Sequence, residues 1–244
     1  MDATGQTFEP GADRETLRPE GDSRLRWFEL GLVILVAFGG PLFTAVYSLG
    51  TQVTSTLASS TNGRWAYDFV HAATALLLLA YVLSRRGADF RKIGLRWSVR
   101  DVAIGAPLVI ISYAVQRLGY QSIRYIYFVL FLSRPSYRPA SAFFGHLGWF
   151  AVVFALFNPF FEELIVRAYL MTEIIEMTGS SALAVIVSVG VQSAYHLYYG
   201  WAGALSLACQ FLVFSLYFAR WRRALPLVVA HGFFDVYGIV RLMR

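Results

Sequence analysis

Charge is what this sequence has least of. Only 15% of its 244 residues are charged and 57% are hydrophobic, whereas soluble proteins carry about 25% charged residues. A soluble chain of this length would still need a polar surface, so the composition predicts a membrane protein. The single cysteine, Cys209, excludes an intrachain disulfide and a cysteine-based zinc cluster. The net charge of +6 comes from arginines beside apolar runs, which favours anionic lipid headgroups over nucleic acid as their partner.

Apolar runs follow one another along most of the chain. Residues 1–25 are polar and predict a disordered tail, and residues 26–244 predict one transmembrane helical domain. Residues 117–142 hold an apolar core too short to cross a bilayer of about 30 Å, so they predict a re-entrant piece, an interfacial piece or part of an extra tilted helix. The fold class is therefore all-α, a polytopic bundle of seven to eight spans. The seven predicted spans cover about residues 27–48, 67–84, 102–116, 144–175, 181–199, 202–219 and 224–242.

Basic residues set the expected orientation. Arginine and lysine are concentrated before the first span, in the connector 85–101 and in the turn 220–224. The positive-inside rule places these segments and the N-terminus in the cytoplasm. We therefore expect an integral protein of a bacterial cytoplasmic (inner) membrane, surrounded by membrane lipid.

Ionisable residues inside the spans are the functional candidates, because a charge at the bilayer centre costs about 2.5–3.5 kcal/mol. Pro159 predicts that a helix restarts there with Asn158 as its N-cap, which places both glutamates in the first two turns. Glu163 and Arg167 are four residues apart and are expected to pair. Glu162 points about 100° away and has no local partner, so it is expected to be free for chemistry. Two glutamates further along the same run are expected to be solvated: Glu173 and Glu176.

Two later spans supply possible partners for Glu162. His196 lies near the end of one span, and His231 and Asp235 share a face of another. A carboxylate beside an imidazole can polarise a water for attack on an amide carbonyl, and a second histidine can donate to the oxyanion that forms. The set Glu162, His196 and His231 would also suit a divalent metal such as zinc.

Three residue groups together resemble the CPBP family of CAAX proteases and bacteriocin-processing enzymes, also called Abi. The family pattern is EExxxR, then FxxxH, then HxxxN or HxxxD, on successive membrane helices. Here the three groups are residues 162–167, 192–196 and 231–235. Gln192 stands where phenylalanine is usual, and the last position is Asp235. The resemblance covers about residues 90–238.

The resemblance implies an intramembrane endopeptidase of glutamic type, long also described as a metalloprotease. By that likeness Glu162 and His196 activate a water, His231 and residue 235 form the oxyanion site, and the Glu163–Arg167 pair supports it. An ionised aspartate cannot donate a hydrogen bond. Asp235 is therefore expected either to be protonated or to orient His231, and Gln192 in place of phenylalanine to alter packing alone.

The substrate expected from this likeness is a membrane-associated or lipidated protein or peptide, cut near its C-terminus or signal segment. A prenylated C-terminus, a sorting signal and a leader peptide all stay open, as does metal dependence. Two other functions compete with proteolysis. One is a non-catalytic immunity or scaffold protein on the same fold. The other is a small transporter with Glu162 and the histidines as a proton relay, although no inverted repeat is visible.

Overall fold

The regular structure of this protein is helical throughout the described residues. The computed structural model describes residues 23–51, 61–135 and 149–242. Residues 1–22 of the predicted tail and residues 136–142 of the ambiguous segment lie outside the described residues. The elements are α1 (Ser23–Thr51), α2 (Thr61–Arg85), α3 (Val99–Phe131), α4 (Trp149–Glu162), a π-helical segment (Glu163–Tyr169), α5 (Leu170–Thr178), α6 (Ser181–Tyr195), a 3-10 turn (Leu197–Tyr199), α7 (Trp201–Trp221) and α8 (Leu225–Leu242).

Long apolar helices confirm that this is an integral membrane protein with a polytopic helical bundle. Within the described ranges, six helical stretches are long and apolar enough to cross a bilayer, and α6 is apolar but shorter, with 15 residues. Many large apolar side chains point outward, as lipid-facing positions require; Leu77 and Ile110 are 71% and 70% exposed. The six stretches are Ser23–Tyr47, Asn62–Arg85, Val99–Phe131, Trp149–Thr178, Trp201–Trp221 and Leu225–Leu242.

Helix α3 answers the question left by residues 117–142. It runs unbroken for 33 residues through Pro107 and ends where Leu132 adopts a left-handed conformation, with its N–H bonded to the Phe128 carbonyl. Residues 117–131 therefore continue the third span, and the described part of the chain contains no re-entrant piece there. Close packing accompanies this length, because a Cβ on Gly119 would lie 2.4 Å from the Cys209 Sγ of α7.

The predicted helix start at Pro159 was wrong. Helix α4 continues through Pro159, and α4, the π-helical segment and α5 form one continuous helical run, Trp149–Thr178. Proline removes a single hydrogen-bond donor, and neighbouring helices in a membrane bundle can offset that loss. Asn158 is consequently a helical residue one turn before Glu162, and its side chain does not cap the helix.

A second proline shows how such a loss is offset. Pro41 lies inside α1 and cannot donate to the carbonyl of Ala37, four residues earlier. The His71 Nε2 of α2 lies 2.9 Å from that carbonyl oxygen. Because a carbonyl only accepts, Nε2 carries the proton and donates to it. His71 thus joins α1 to α2 at the point where α1 lacks its own hydrogen bond.

A buried ion network closes one end of the bundle. Glu173 is fully buried and accepts from Arg26 at 3.0 Å and from Arg86 at 2.8 Å. The expectation that Glu173 is solvated was therefore wrong, because Arg26 of α1 and Arg86, which follows α2, both reach its carboxylate. Arg86 also pairs with Glu29. Burial alone would lower the pKa of Arg86, but the carboxylates of Glu173 and Glu29 outweigh it and hold that pKa above its usual value.

The centre of the bundle is the π-helical segment. All seven of its residues are buried, and the N–H of Leu170 bonds five residues back to the Ile165 carbonyl. Helices α1, α4, α6 and α7 all contact it. Short π-helical stretches inside α-helices are frequent at functional sites. Glu163 and Arg167 are therefore held in a fully buried segment that four other helices contact.

Candidate active site

Glu162 lies at the end of α4, near the middle of the long run, and is held by three neutral donors. Its Oε2 accepts from the Gln192 Nε2 at 2.7 Å and from the Tyr195 hydroxyl at 2.5 Å. Its Oε1 accepts from the Asn158 Nδ2 at 3.1 Å. The residue is only 6% exposed. The structure therefore gives Glu162 donors from its own helix and from α6, where the sequence suggested no local partner.

Gln192 connects Glu162 to His196. Its side chain donates to the Glu162 carboxylate, and its backbone carbonyl lies 2.8 Å from the His196 Nδ1. Because the carbonyl only accepts, Nδ1 of His196 carries a proton and Nε2 is the ring nitrogen left as an acceptor in the neutral imidazole. Gln192 thus does more than alter packing, because one residue fixes both members of the predicted water-activating pair.

The short helix α6 ends directly before His196. Gly179 ends α5 in a left-handed conformation, and the Ser180 Oγ accepts the Leu183 N–H, so α6 begins at once. Fifteen residues span about 22 Å, less than the apolar thickness of about 30 Å. The helix is thus shorter than a full crossing, and His196 with the 3-10 turn Leu197–Tyr199 follows its last residue.

Glu163 faces a different set of partners. Arg167 Nη1 lies 3.3 Å from its Oε1, and both side chains are fully buried. The His231 Nδ1 of α8 lies 2.8 Å from the same oxygen. The Arg167 guanidinium also lies over the rings of Phe211 and Phe214, at 5.4 and 5.8 Å, a contact that favours a desolvated cation. The predicted pairing of Glu163 with Arg167 is confirmed.

His231 lies between the two parts of the site. Its Nδ1 carries a proton, since the Glu163 carboxylate can only accept. Its Nε2 lies 4.0 Å from Glu162 Oε2 and 3.5 Å from Asp235 Oδ1, beyond hydrogen-bond distance. The other Asp235 oxygen, Oδ2, accepts from Asn158 Nδ2 at 3.0 Å. The Nε2 atom of His231 therefore makes no hydrogen bond to either of these two carboxylates.

The six predicted site residues thus fall into one connected group. Hydrogen bonds and close pairs join Glu162, Glu163, Arg167, His231 and Asp235, and Gln192 links His196 to them. The sequence analysis missed three members of the group: Asn158, Gln192 and Tyr195. The four-residue spacing of Asn158 from Glu162 was a usable signal, but it was masked by the expectation of a helix start.

The predicted metal ligands do not form a metal-holding cluster. In the described ranges, no group of three His, Cys, Asp or Glu side chains is arranged to hold a metal ion. The Nδ1–H groups of His196 and His231 donate to a backbone carbonyl and to Glu163. Each ring therefore keeps its Nε2 as the nitrogen that could face a water or a metal.

Comparison with known proteins identifies one family. Residues 144–237 match the family model described as type II CAAX prenyl endopeptidase Rce1-like. That range includes every residue of the group above. No curated protein and no solved structure matches the chain.

Proposed function

Residues 144–237 form a domain of the Rce1-like CAAX endopeptidase family, and from this premise we propose that the protein hydrolyses a peptide bond of a membrane-associated substrate. The cut would lie near the C-terminus or the signal segment of that substrate. The observation that carries the proposal is the Glu162 carboxylate, which is buried inside a membrane span and held by neutral donors. Such a group is costly in a bilayer without a function.

The environment of Glu162 suits a general base. A carboxylate offers about four acceptor positions, and three of them are occupied by Asn158, Gln192 and Tyr195. One position on Oε1 remains for a water molecule. The His196 Nε2, left as an acceptor, would take a hydrogen bond from the same water and orient it, since Gln192 contacts both side chains.

The hydrolysis then proceeds as an acid–base exchange. Glu162 takes one proton from the water while the water oxygen attacks the carbonyl carbon of the scissile bond. The carbonyl oxygen becomes an oxyanion, which accepts a hydrogen bond from Nε2–H of a protonated His231. The C–N bond breaks as Glu162 returns the proton to the leaving amine. The products are a free amine and a new C-terminal carboxylic acid, which keeps the second proton of the water until it ionises.

The remaining residues would orient the two histidines. Glu163 holds the His231 ring through Nδ1, and Arg167 balances the charge of Glu163. Asp235 stands 3.5 Å from the His231 Nε2 and accepts from Asn158. At that distance an ionised Asp235 would act on His231 through its charge and not through a hydrogen bond, which supports the second role expected of it, orienting His231, over donation to the oxyanion.

The orientation in the membrane is also part of the proposal. The ion network of Arg26, Arg86 and Glu173 lies at one end of the bundle, where α1 begins and α2 and α5 end. This is the end that the positive-inside rule assigns to the cytoplasm. Placing it there gives a cytoplasmic N-terminus in a bacterial inner membrane, with the site near the middle of the bilayer.

Two substitutions test the assignment of the base and its histidine. In purified protein, Glu162→Gln and His196→Ala should each lower peptide cleavage by at least about a hundredfold, the usual range for general acid–base groups. Asp68→Asn is the matched control, because this carboxylate is partly exposed and only loosely paired with Arg64 at 3.9 Å. Unchanged cleavage in both site variants would overturn the proposal.

The alternative of a non-catalytic immunity or scaffold protein predicts another result. A Glu162→Gln variant that keeps the full cellular function of the protein would support that alternative.

A further inference from the structure

Asn158 lies outside the three motif segments but contacts two of their carboxylates. Its Nδ2 lies 3.1 Å from Glu162 Oε1 and 3.0 Å from Asp235 Oδ2. Carboxylates only accept, and an amide nitrogen carries two hydrogens. Both hydrogens are therefore used, and the orientation of the amide group is fixed by its neighbours.

The backbone explains why this contact forms. Helix α4 continues through Pro159, so Asn158 lies one helical turn before Glu162 and on the same face. Helix α8 approaches α4 closely at this level, because a Cβ on Gly232 would lie 3.6 Å from the Pro159 ring. Asp235, one turn after Gly232 on α8, is thereby brought within reach of the Asn158 amide.

We propose that Asn158 is a positioning residue of this site, which bridges Glu162 of α4 to Asp235 of α8. The inference rests on the proteolytic function proposed above. The bridge links the water-activating half of the site to His231, since Asp235 stands beside the His231 Nε2. It also supplies a neutral amide donor at a place where the aspartate at position 235 offers only acceptors.

Without Asn158, the buried Glu162 carboxylate and the partly exposed Asp235 carboxylate would face each other with no donor between them. Like charges so placed disfavour each other, and each oxygen loses a charge-assisted hydrogen bond. A hydrogen bond to a charged group contributes about 1.5–3 kcal/mol, which corresponds to about a tenfold to hundredfold change in rate. Asn158→Ala should therefore lower kcat by about that factor and leave KM nearly unchanged, because no contact with the substrate is removed.

Three variants sharpen this kinetic test. Asn158→Asp is nearly isosteric but accepts only, so its kcat should fall below that of Asn158→Ala. Adding Asp235→Asn to Asn158→Asp returns an amide between the two helices and should recover part of the activity. Asn62→Ala is the matched control, since Asn62 is exposed at the start of α2 and is the one other asparagine of the chain.

The two-asparagine composition also allows a test that does not need activity. Protein labelled with ¹⁵N-asparagine in detergent micelles should show two side-chain amide signals. The Asn158 signal should exchange its hydrogens more slowly than the Asn62 signal and should shift in Glu162→Gln and in Asp235→Asn. The Asn62 signal should be unchanged in both.

The outcomes separate this inference from the proposed function. If the wild-type protein cleaves the peptide and Asn158→Ala cleaves it equally fast, the positioning role is wrong while the proposed function stands. If neither protein cleaves any peptide although both are folded, the proposed function fails, and the positioning role fails with it. An Asn158 signal that exchanges as fast as that of Asn62 and ignores both substitutions would overturn the bridge in either case.

Discussion

Gln192→Leu is the substitution that most directly tests how Glu162 is held. It removes the Nε2 donor that lies 2.7 Å from Glu162 Oε2, while the backbone carbonyl that binds His196 stays in place. The contact is buried and charge-assisted, so its loss is worth about 1.5–3 kcal/mol. Tyr195 still donates to the same oxygen at 2.5 Å, which places the expected effect near the lower end of that range.

The expected result is a fall in kcat of about tenfold, with little change in KM. The assay is the initial rate of cleavage of a fluorogenic peptide by purified protein, measured over a range of peptide concentrations. Gln116→Leu on α3 is the matched control, because it makes the same change on a helix far from the site in sequence. The Gln116 side chain makes no hydrogen bond to Glu162, whereas that of Gln192 does.

Two results would refute the reasoning. If Gln192→Leu cleaves as fast as the wild type, the Gln192 side chain does not position the base. It then alters packing alone, as the sequence analysis expected. If KM rises while kcat is unchanged, the side chain contributes to substrate binding and not to the base.

Two further predictions concern the ion pairs around the site. Arg167→Met should destabilise the protein by about 3–5 kcal/mol, because it leaves the fully buried Glu163 charge without its cation; adding Glu163→Gln should restore part of the loss, and an unchanged unfolding temperature in detergent would contradict this. Arg86→Ala should also lower that temperature, because Glu29 and Glu173 lose a shared partner. The pKa of Arg86 is raised in the folded protein. The stabilisation from its ion pairs is therefore fully present below the ordinary pKa of arginine, and it is lost only as pH rises through the higher pKa of the folded state. The difference in unfolding temperature should therefore be the same between about pH 7 and pH 9, and a difference that disappears by pH 9 would show that another group is responsible.

Much of the fold could be predicted from the sequence, because the bilayer imposes a simple rule on composition and length. Apolar runs long enough to cross a bilayer predicted the helices, and the pattern of residues 162–167, 192–196 and 231–235 predicted the family whose model matches residues 144–237. The errors occurred where neighbouring helices decide the local structure. The chain before Pro159 stays helical, and Glu173 is buried because two arginines from other parts of the chain reach it.

The site residues divide in the same way. Glu163 and Arg167 were predictable as a pair because their four-residue spacing is local. The contact between Asn158 and Asp235 joins residues 77 positions apart, and no local rule gives the packing of α4 against α8. Gln192 departs from the family pattern, and its donation to Glu162 depends on how α6 packs beside α4.

The proposed function gives the two adjacent glutamates different purposes, because they meet different classes of donor. Glu163 is held by the cation of Arg167 and by the ring of His231, so its charge is matched and its proton affinity is of little use. Glu162 is held by two amides and a phenol, which fix its direction without a cation at hydrogen-bond distance. A general base inside a membrane must be ionised, oriented and still able to take a proton. Neutral donors meet all three requirements, whereas a direct ion pair would satisfy only the first two.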